Sequence, residues 1–205
     1  MQARYIARLL YVFLFVTTLV VPNHFKFLLL NLTLAYIPLE LAYLLKLFVP
    51  KRLFEWPLFV IYLVIFILML PNTFYMVTDL IHLNQFSFSF LSGLVLIEWI
   101  HFGLLVTGVL FAVYCFTLIA LELFHLPFPL WARYIILLGM TLLNGLGIYV
   151  GRFLRFHSVH LINNPFSVII STLKSIDAPA ITFIGLIALM QCLLLLCLKG
   201  VRTRS

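Results

Sequence analysis

Charged and strongly polar residues are sparse along this chain, and the intervals between them set its architecture. Apolar runs fall near residues 5–22, 25–49, 57–79, 94–118, 132–152 and 179–198. Each is close to or beyond the roughly 20 residues that an α-helix needs to cross the hydrocarbon core of a bilayer. None shows the short alternation of barrel strands, and in lipid a helix is the segment that satisfies its own backbone. The pattern predicts an all-α, polytopic membrane protein, a bundle of about six transmembrane helices with short loops, forming one domain over residues 1–205. The run at 25–49 is the least uniform, because it contains Asn31, Pro38, Glu40 and Lys46. The first run has a basic start, MQARYIARLL, but no small-x-small cleavage site follows it, so it reads as a retained helix.

Composition agrees with this pattern. Hydrophobic residues make up 65% of the chain and charged residues 9%, with mean hydropathy +1.21. A soluble domain carries about 25% charged residues, so a soluble enzyme is excluded. The net charge is +7. Its cations lie at the ends of apolar runs and do not alternate with aromatics as base-stacking surfaces do. They imply the bilayer and anionic lipid as partners, and no nucleic acid. With six spans and an inner N-terminus, Arg4, Arg8, Lys46, Lys51, Arg52, Arg133, Lys199, Arg202 and Arg204 are cytoplasmic. Lys26, Arg152, Arg155 and Lys174 are then outside. Nine against four predicts a multi-pass plasma-membrane protein with both termini in the cytoplasm. Cys115, Cys192 and Cys197 sit in apolar runs at spacings that match no metal or redox motif, and read as packing residues.

Against that apolar background a polar constellation stands out. In LPNTFYMVTDLIHL, Asn72, Tyr75, Asp79 and His82 are spaced 3, 4 and 3, which is one stripe of an α-helix. Pro71 removes the donor for the carbonyl four residues back and predicts a kink. Trp56 to Asp79 is about 35 Å of helix, so Asp79 falls at the outer hydrocarbon boundary. In EWIHFG, Glu98 and His101 stand three apart at the start of the next span. A carboxylate-x-x-His pair on each of two neighbouring helices is one way bundles present metal ligands. Asp79, His82, Glu98 and His101 are therefore candidates for a divalent metal site or for general acid–base catalysis. The simpler reading is a hydrogen-bond network joining the two helices. Glu40 falls near mid-membrane by count, so it must face protein or be protonated, and it is the candidate for any proton-coupled role. Glu55, Glu122 and His125 read as cytoplasmic loop residues.

The stretch LLNGLGIYVGRFLRFHSVHLINNP carries the remaining candidates. Asn144, Gly147, Gly151 and Arg155 share one helix face, and Gly147-x-x-x-Gly151 permits close helix approach. On that geometry Arg155 turns into the bundle and Arg152 lies about 60° off the face. Arginine forks suit phosphate and carboxylate, so Asn72, Tyr75, Asn144, Arg152 and Arg155 are candidate substrate-binding residues. The simpler reading of the arginines is snorkelling at the interface. Residues 165–178 look amphipathic, either an interfacial helix or a lid over the site.

LPNTFYMVTDLIHL and NGLGIYVGRFLRFHS resemble the signature segments of an uncharacterised bacterial integral-membrane family, domain of unknown function 1361. The resemblance covers roughly the second to sixth spans. It implies a multi-span plasma-membrane protein and no particular activity. The matching positions are Asn72, Tyr75, Thr78, Asp79, His82, Asn144, Gly145, Gly147, Tyr149, Gly151, Arg152 and Arg155. After Arg155 the family pattern runs Asn-Ser-Trp-Asp. This chain has His157-Ser158-Val159-His160, which removes a carboxylate from any mechanism relying on that position.

There is no Walker loop, nucleophile elbow or H-E-x-x-H motif. Three functions fit: an outer-face site for an anionic lipid or lipid-linked substrate, with hydrolase or transferase chemistry; a transporter or flippase using Pro71, Asn144 and Glu40; or a non-enzymatic subunit of a larger membrane complex.

Overall fold

Seven α-helices lie along the residues that the structure, a computed structural model, describes: 2–21, 25, 27–88, 93–156 and 165–202. They are α1 (Gln2–Val20), α2 (Phe27–Phe48), α3 (Trp56–Tyr75), α4 (Leu96–Phe124), α5 (Leu130–Arg152), α6 (Pro165–Ser175) and α7 (Ala178–Arg202). All but α6 are part of the six spans long and apolar enough to cross a membrane. The chain is therefore a multi-pass helical bundle, as its apolar pattern predicts.

Three boundaries differ from that pattern in ways that matter. A 3-10 turn (Leu53–Glu55) precedes α3. Glu55 is not an idle loop residue there, since its Oε2 accepts the backbone N–H groups of Lys51 at 2.7 Å and Arg52 at 3.3 Å. At its other end α3 stops at Tyr75 and continues as a ten-residue 3-10 segment, Met76–Gln85. The stripe of Asn72, Tyr75, Asp79 and His82 is therefore not one face of an α-helix. Beyond Met76 the turn has three residues, which brings Met76, Asp79 and His82 into line. Helix α4 runs on to Phe124, so Glu122 belongs to a helix and pairs with Lys46 of α2 at 3.0 Å.

Helix α4 is the axis of the bundle. Two-thirds of its apolar window is buried, against 17% for α1 and α7. Phe74 of α3 meets Phe116 of α4 edge to face at 5.2 Å, and both are fully buried. The outward faces stay apolar, for example Leu9, Phe13 and Leu19 on α1, because lipid rather than water covers them.

Small residues set the crossing of α3 and α5. A Cβ at Gly147 would lie 2.6 Å from the Cβ of Pro71, and one at Gly151 would lie 3.3 Å from the ring of Tyr75. The glycine pair thus admits the side chains of Pro71 and Tyr75 to the backbone of α5. That contact brings the end of α3 against the end of α5.

Candidate functional site

Asp79 is the centre of the polar constellation and is fully buried. Two helices converge on it. Asn31 of α2 donates Nδ2–H to its Oδ2 at 2.6 Å. Arg152, the last residue of α5, approaches its Oδ1 through Nη1 at 3.4 Å. The same guanidinium donates to the Tyr75 hydroxyl at 3.3 Å and the Thr78 carbonyl at 2.5 Å, and sits over the Tyr75 ring at 5.3 Å. A carboxylate at this depth requires a cation and further donors, because an uncompensated buried charge is very costly. Arg152 and Asn31 supply them. Planar geometry lets one arginine serve carboxylate, hydroxyl, carbonyl and ring together, which a lysine cannot do.

Arg152, not Arg155, is therefore the inward arginine. The rotation that turned Arg155 inward assumed a continuing helix, but α5 ends at Arg152. Arg155 lies beyond it with φ 56° and is exposed. The chain turns back there, with the Phe156 N–H reaching the Val150 carbonyl at 3.3 Å. His157 and His160 lie outside the described residues.

The imidazoles do not form a dyad with the carboxylate. His82 Nδ1 pairs with the backbone carbonyl of Asp79 at 3.0 Å, and His101 Nδ1 with that of Ile97 at 2.7 Å. Phe25 stands between them, its ring 6.3 Å from His82 and 5.3 Å from His101. Phe27 and Phe86 complete an aromatic box around the two histidines. Glu98 accepts from Ser87 at 3.3 Å. Among the described residues no group of three or more His, Cys, Asp or Glu is placed to hold a metal ion. Asp79, His82, Glu98 and His101 are thus not assembled as the metal centre that their spacing suggested. Spacing along two helices fixes neither the rotation of each helix nor what stands between them, and here an aromatic wedge does.

Asn144 also leaves the constellation. It is buried against α7, donating Nδ2–H to Gln191 Oε1 at 2.8 Å, and Gln191 reaches the carbonyls of Ile187 and Thr141 in turn. One residue on, a Cβ at Gly145 would lie 2.7 Å from the Ile184 carbonyl, so this part of α5 faces α7 while Gly147 faces α3. Glu40 belongs to a third network in the C-terminal half of α2. It accepts a two-point fork from Arg8 at 2.7 and 2.8 Å, an Arg4 Nη2–H at 3.0 Å and the Tyr36 hydroxyl. It faces protein as its depth requires, and is paired rather than lone.

Between α2, α3, α5 and α6 lies a cavity of about 620 Å³. Its walls are mainly apolar, including Leu34, Ile67, Leu146 and Val150, with Asn31, Asn72, Tyr75 and Thr172 as polar points. Asn72 turns its amide back to the Met69 carbonyl at 3.1 Å. Val168 and Thr172 of α6, with Ile176 just beyond it, form one wall of the cavity. The ion pair does not itself line the space. Asn31 and Tyr75 do, and each bonds one member of the pair.

Sequence reasoning did not single out Asn31, Phe25 or Gln191 as site residues, and it read Arg4 and Arg8 only as cations that set the topology. A signal existed for Asn31 and Gln191, since each is a polar side chain within an apolar run. Nothing in the local sequence marks Phe25.

The model for proteins of unknown function, DUF1361, matches residues 30–194, from α2 to most of α7. Comparison with curated proteins and with solved structures finds no match.

Proposed function

We propose, for a chain that belongs to the DUF1361 family, that the cavity beside the Asp79–Arg152 pair binds the hydrocarbon part of an anionic lipid or lipid-linked molecule at the outer face of the plasma membrane. The carrying observation is the shared wall: Asn31 and Tyr75 line an apolar cavity and also hold the buried ion pair. The volume is within the roughly 300–1,000 Å³ of small-molecule sites. Apolar walls between lipid-embedded helices suit an acyl or isoprenyl chain. Arg152 supports an anionic headgroup, because its contact to Asp79 is long and its side chain is 21% exposed. A phosphate exchanging for that contact would make shorter, charge-assisted bonds.

Binding is favoured over acid–base catalysis, since the Asp79 carboxylate is engaged by Asn31 and Arg152 and the histidines bond to backbone. It is favoured over a path through the bundle, since Asn144 and Glu40 belong to separate networks. The outward placement of this end rests on the nine-to-four division of lysine and arginine.

Native mass spectrometry of the purified protein tests the reading. Leu146→Trp and Val150→Trp fill the cavity and should reduce tightly retained lipid about tenfold, a change of roughly 1.4 kcal/mol. Equal lipid retention in wild type and both folded variants would remove the proposal.

A further inference from the structure

The opposite end of the bundle carries a second, differently built charge cluster. Arg4 and Arg8, one helical turn apart on α1, share the single carboxylate of Glu40. Glu40 accepts from Arg8 Nε, Arg8 Nη2, Arg4 Nη2 and the Tyr36 hydroxyl. A carboxylate offers about four acceptor positions, so these four donors saturate it. Two guanidiniums against one carboxylate leave one positive charge in surplus.

The surplus belongs to Arg4. Arg8 has the two-point fork, whereas Arg4 makes one contact to Glu40 and lies over the Tyr43 ring at 5.0 Å. Its Nε is buried and has no acceptor. A buried donor without an acceptor is unfavourable, and Glu40 has no capacity left for it. Tyr36, Tyr43 and Tyr114 face the cluster from α2 and α4, and Tyr114 bonds the Ala3 carbonyl. Both arginine side chains keep an open flank, at 36% and 43% exposure. Their helix neighbours Tyr5 and Leu9 are exposed at 59% and 71%, which makes that flank a lipid-facing one.

We propose that Arg4, held beside the Arg8–Glu40 fork, is a binding site for the phosphate of an anionic phospholipid, in the leaflet on the lysine- and arginine-rich side of the membrane. A phosphate on the open flank of Arg4 neutralises the surplus charge that Glu40 leaves. The site is independent of the cavity at the other end.

The test uses the full chain carrying Leu146→Trp, so that the cavity does not contribute. It is purified in mixed micelles containing equal phosphatidylglycerol and phosphatidylcholine, and retained lipid is counted by native mass spectrometry. Phosphatidylglycerol should be preferred about fivefold, the scale of one basic residue at an anionic surface. Arg4→Gln leaves the Arg8–Glu40 fork intact and should abolish the preference. The double variant Arg8→Gln/Glu40→Gln keeps Arg4 as a lone cation and should retain it. No preference in the parent protein, an unchanged preference in Arg4→Gln, or its loss in the double variant would each overturn the site. Displacement by millimolar inorganic phosphate would show a soluble-anion site and overturn the lipid assignment. Persistence of the preference in phosphate supports it.

Discussion

At the scale of single residues, Asp79 decides what the end of the molecule where α3 meets the end of α5 can be. It is fully buried and its side-chain partners come from two helices, α2 and α5. Removing one partner of a buried charge pair typically costs about 3–5 kcal/mol, because the other is left uncompensated. Asp79→Ala and Arg152→Ala should each lower thermal stability in detergent strongly. The double variant should be much less destabilised than the sum of the two. Additive losses in a thermal melt would show that the residues act separately. Arg152→Lys should recover only part of the stability, since an ammonium cannot serve Asp79, Tyr75 and the Thr78 carbonyl from one plane. Asp79 was legible in the sequence because an ionisable group stood out in an apolar run. Its partners were less so. Arg152 was ranked behind Arg155, since rotation by 100° per residue holds only while the helix lasts, and Gly151 was read as a packing residue rather than as a sign that α5 ends there. Asn31 was visible as a polar residue in lipid, but the side of α2 that it faces is a property of packing.

At the scale of elements, six spans were readable from apolar length alone, with ends displaced by at most about six residues. The change from α-helix to a 3-10 segment at Met76 was not. Runs of 3-10 helix beyond three or four residues are uncommon, so no local pattern predicts ten of them. This switch moves Asp79 and His82 relative to Asn72 and puts them in line with Met76. The crossing of α3 and α5 was half-legible: the glycine spacing indicated close approach, but not that Pro71 fills it. Gly147→Ala would drive a methyl group into the Pro71 ring and should cost about 1–3 kcal/mol, as overpacking does. Gly151→Ala meets Tyr75 at 3.3 Å and should be milder. Gly139→Ala and Gly185→Ala meet nothing within 4 Å and should be neutral or slightly stabilising, because alanine is the better helix former. Melting temperatures in detergent give the order. If Gly147→Ala melts with Gly139→Ala, the close crossing does not hold α3 to α5.

At the scale of the whole molecule, the ion pairs separate toward the two ends of the bundle, apart from the neutral Asn144–Gln191 network within α5 and α7. One end joins Arg4 and Arg8 to Glu40, Lys46 to Glu122, and Arg133 to the ring of Phe124. The other joins Asn31, Asp79 and Arg152. This polarity follows from alternating spans: the start of α1 and the ends of α2 and α4 share a side, as do the ends of α3 and α5. Lysine and arginine are concentrated on the first side, and cytoplasmic loops carry that excess in membrane proteins. Gln85 and Lys174 lie exposed on the second side, and Lys51 lies exposed on the first. In a background with Cys115, Cys192 and Cys197 replaced, Gln85→Cys and Lys174→Cys should react with a membrane-impermeant maleimide on intact cells. Lys51→Cys should react only after lysis. The inverse result would place the Asp79–Arg152 end and its cavity in the cytoplasm, and the amphiphile would then have to be drawn from the inner leaflet. Reaction of all three only after lysis would point to an internal membrane or to failed insertion, which a fractionation of the same cells separates. The labelling pattern therefore decides which leaflet can supply the cavity.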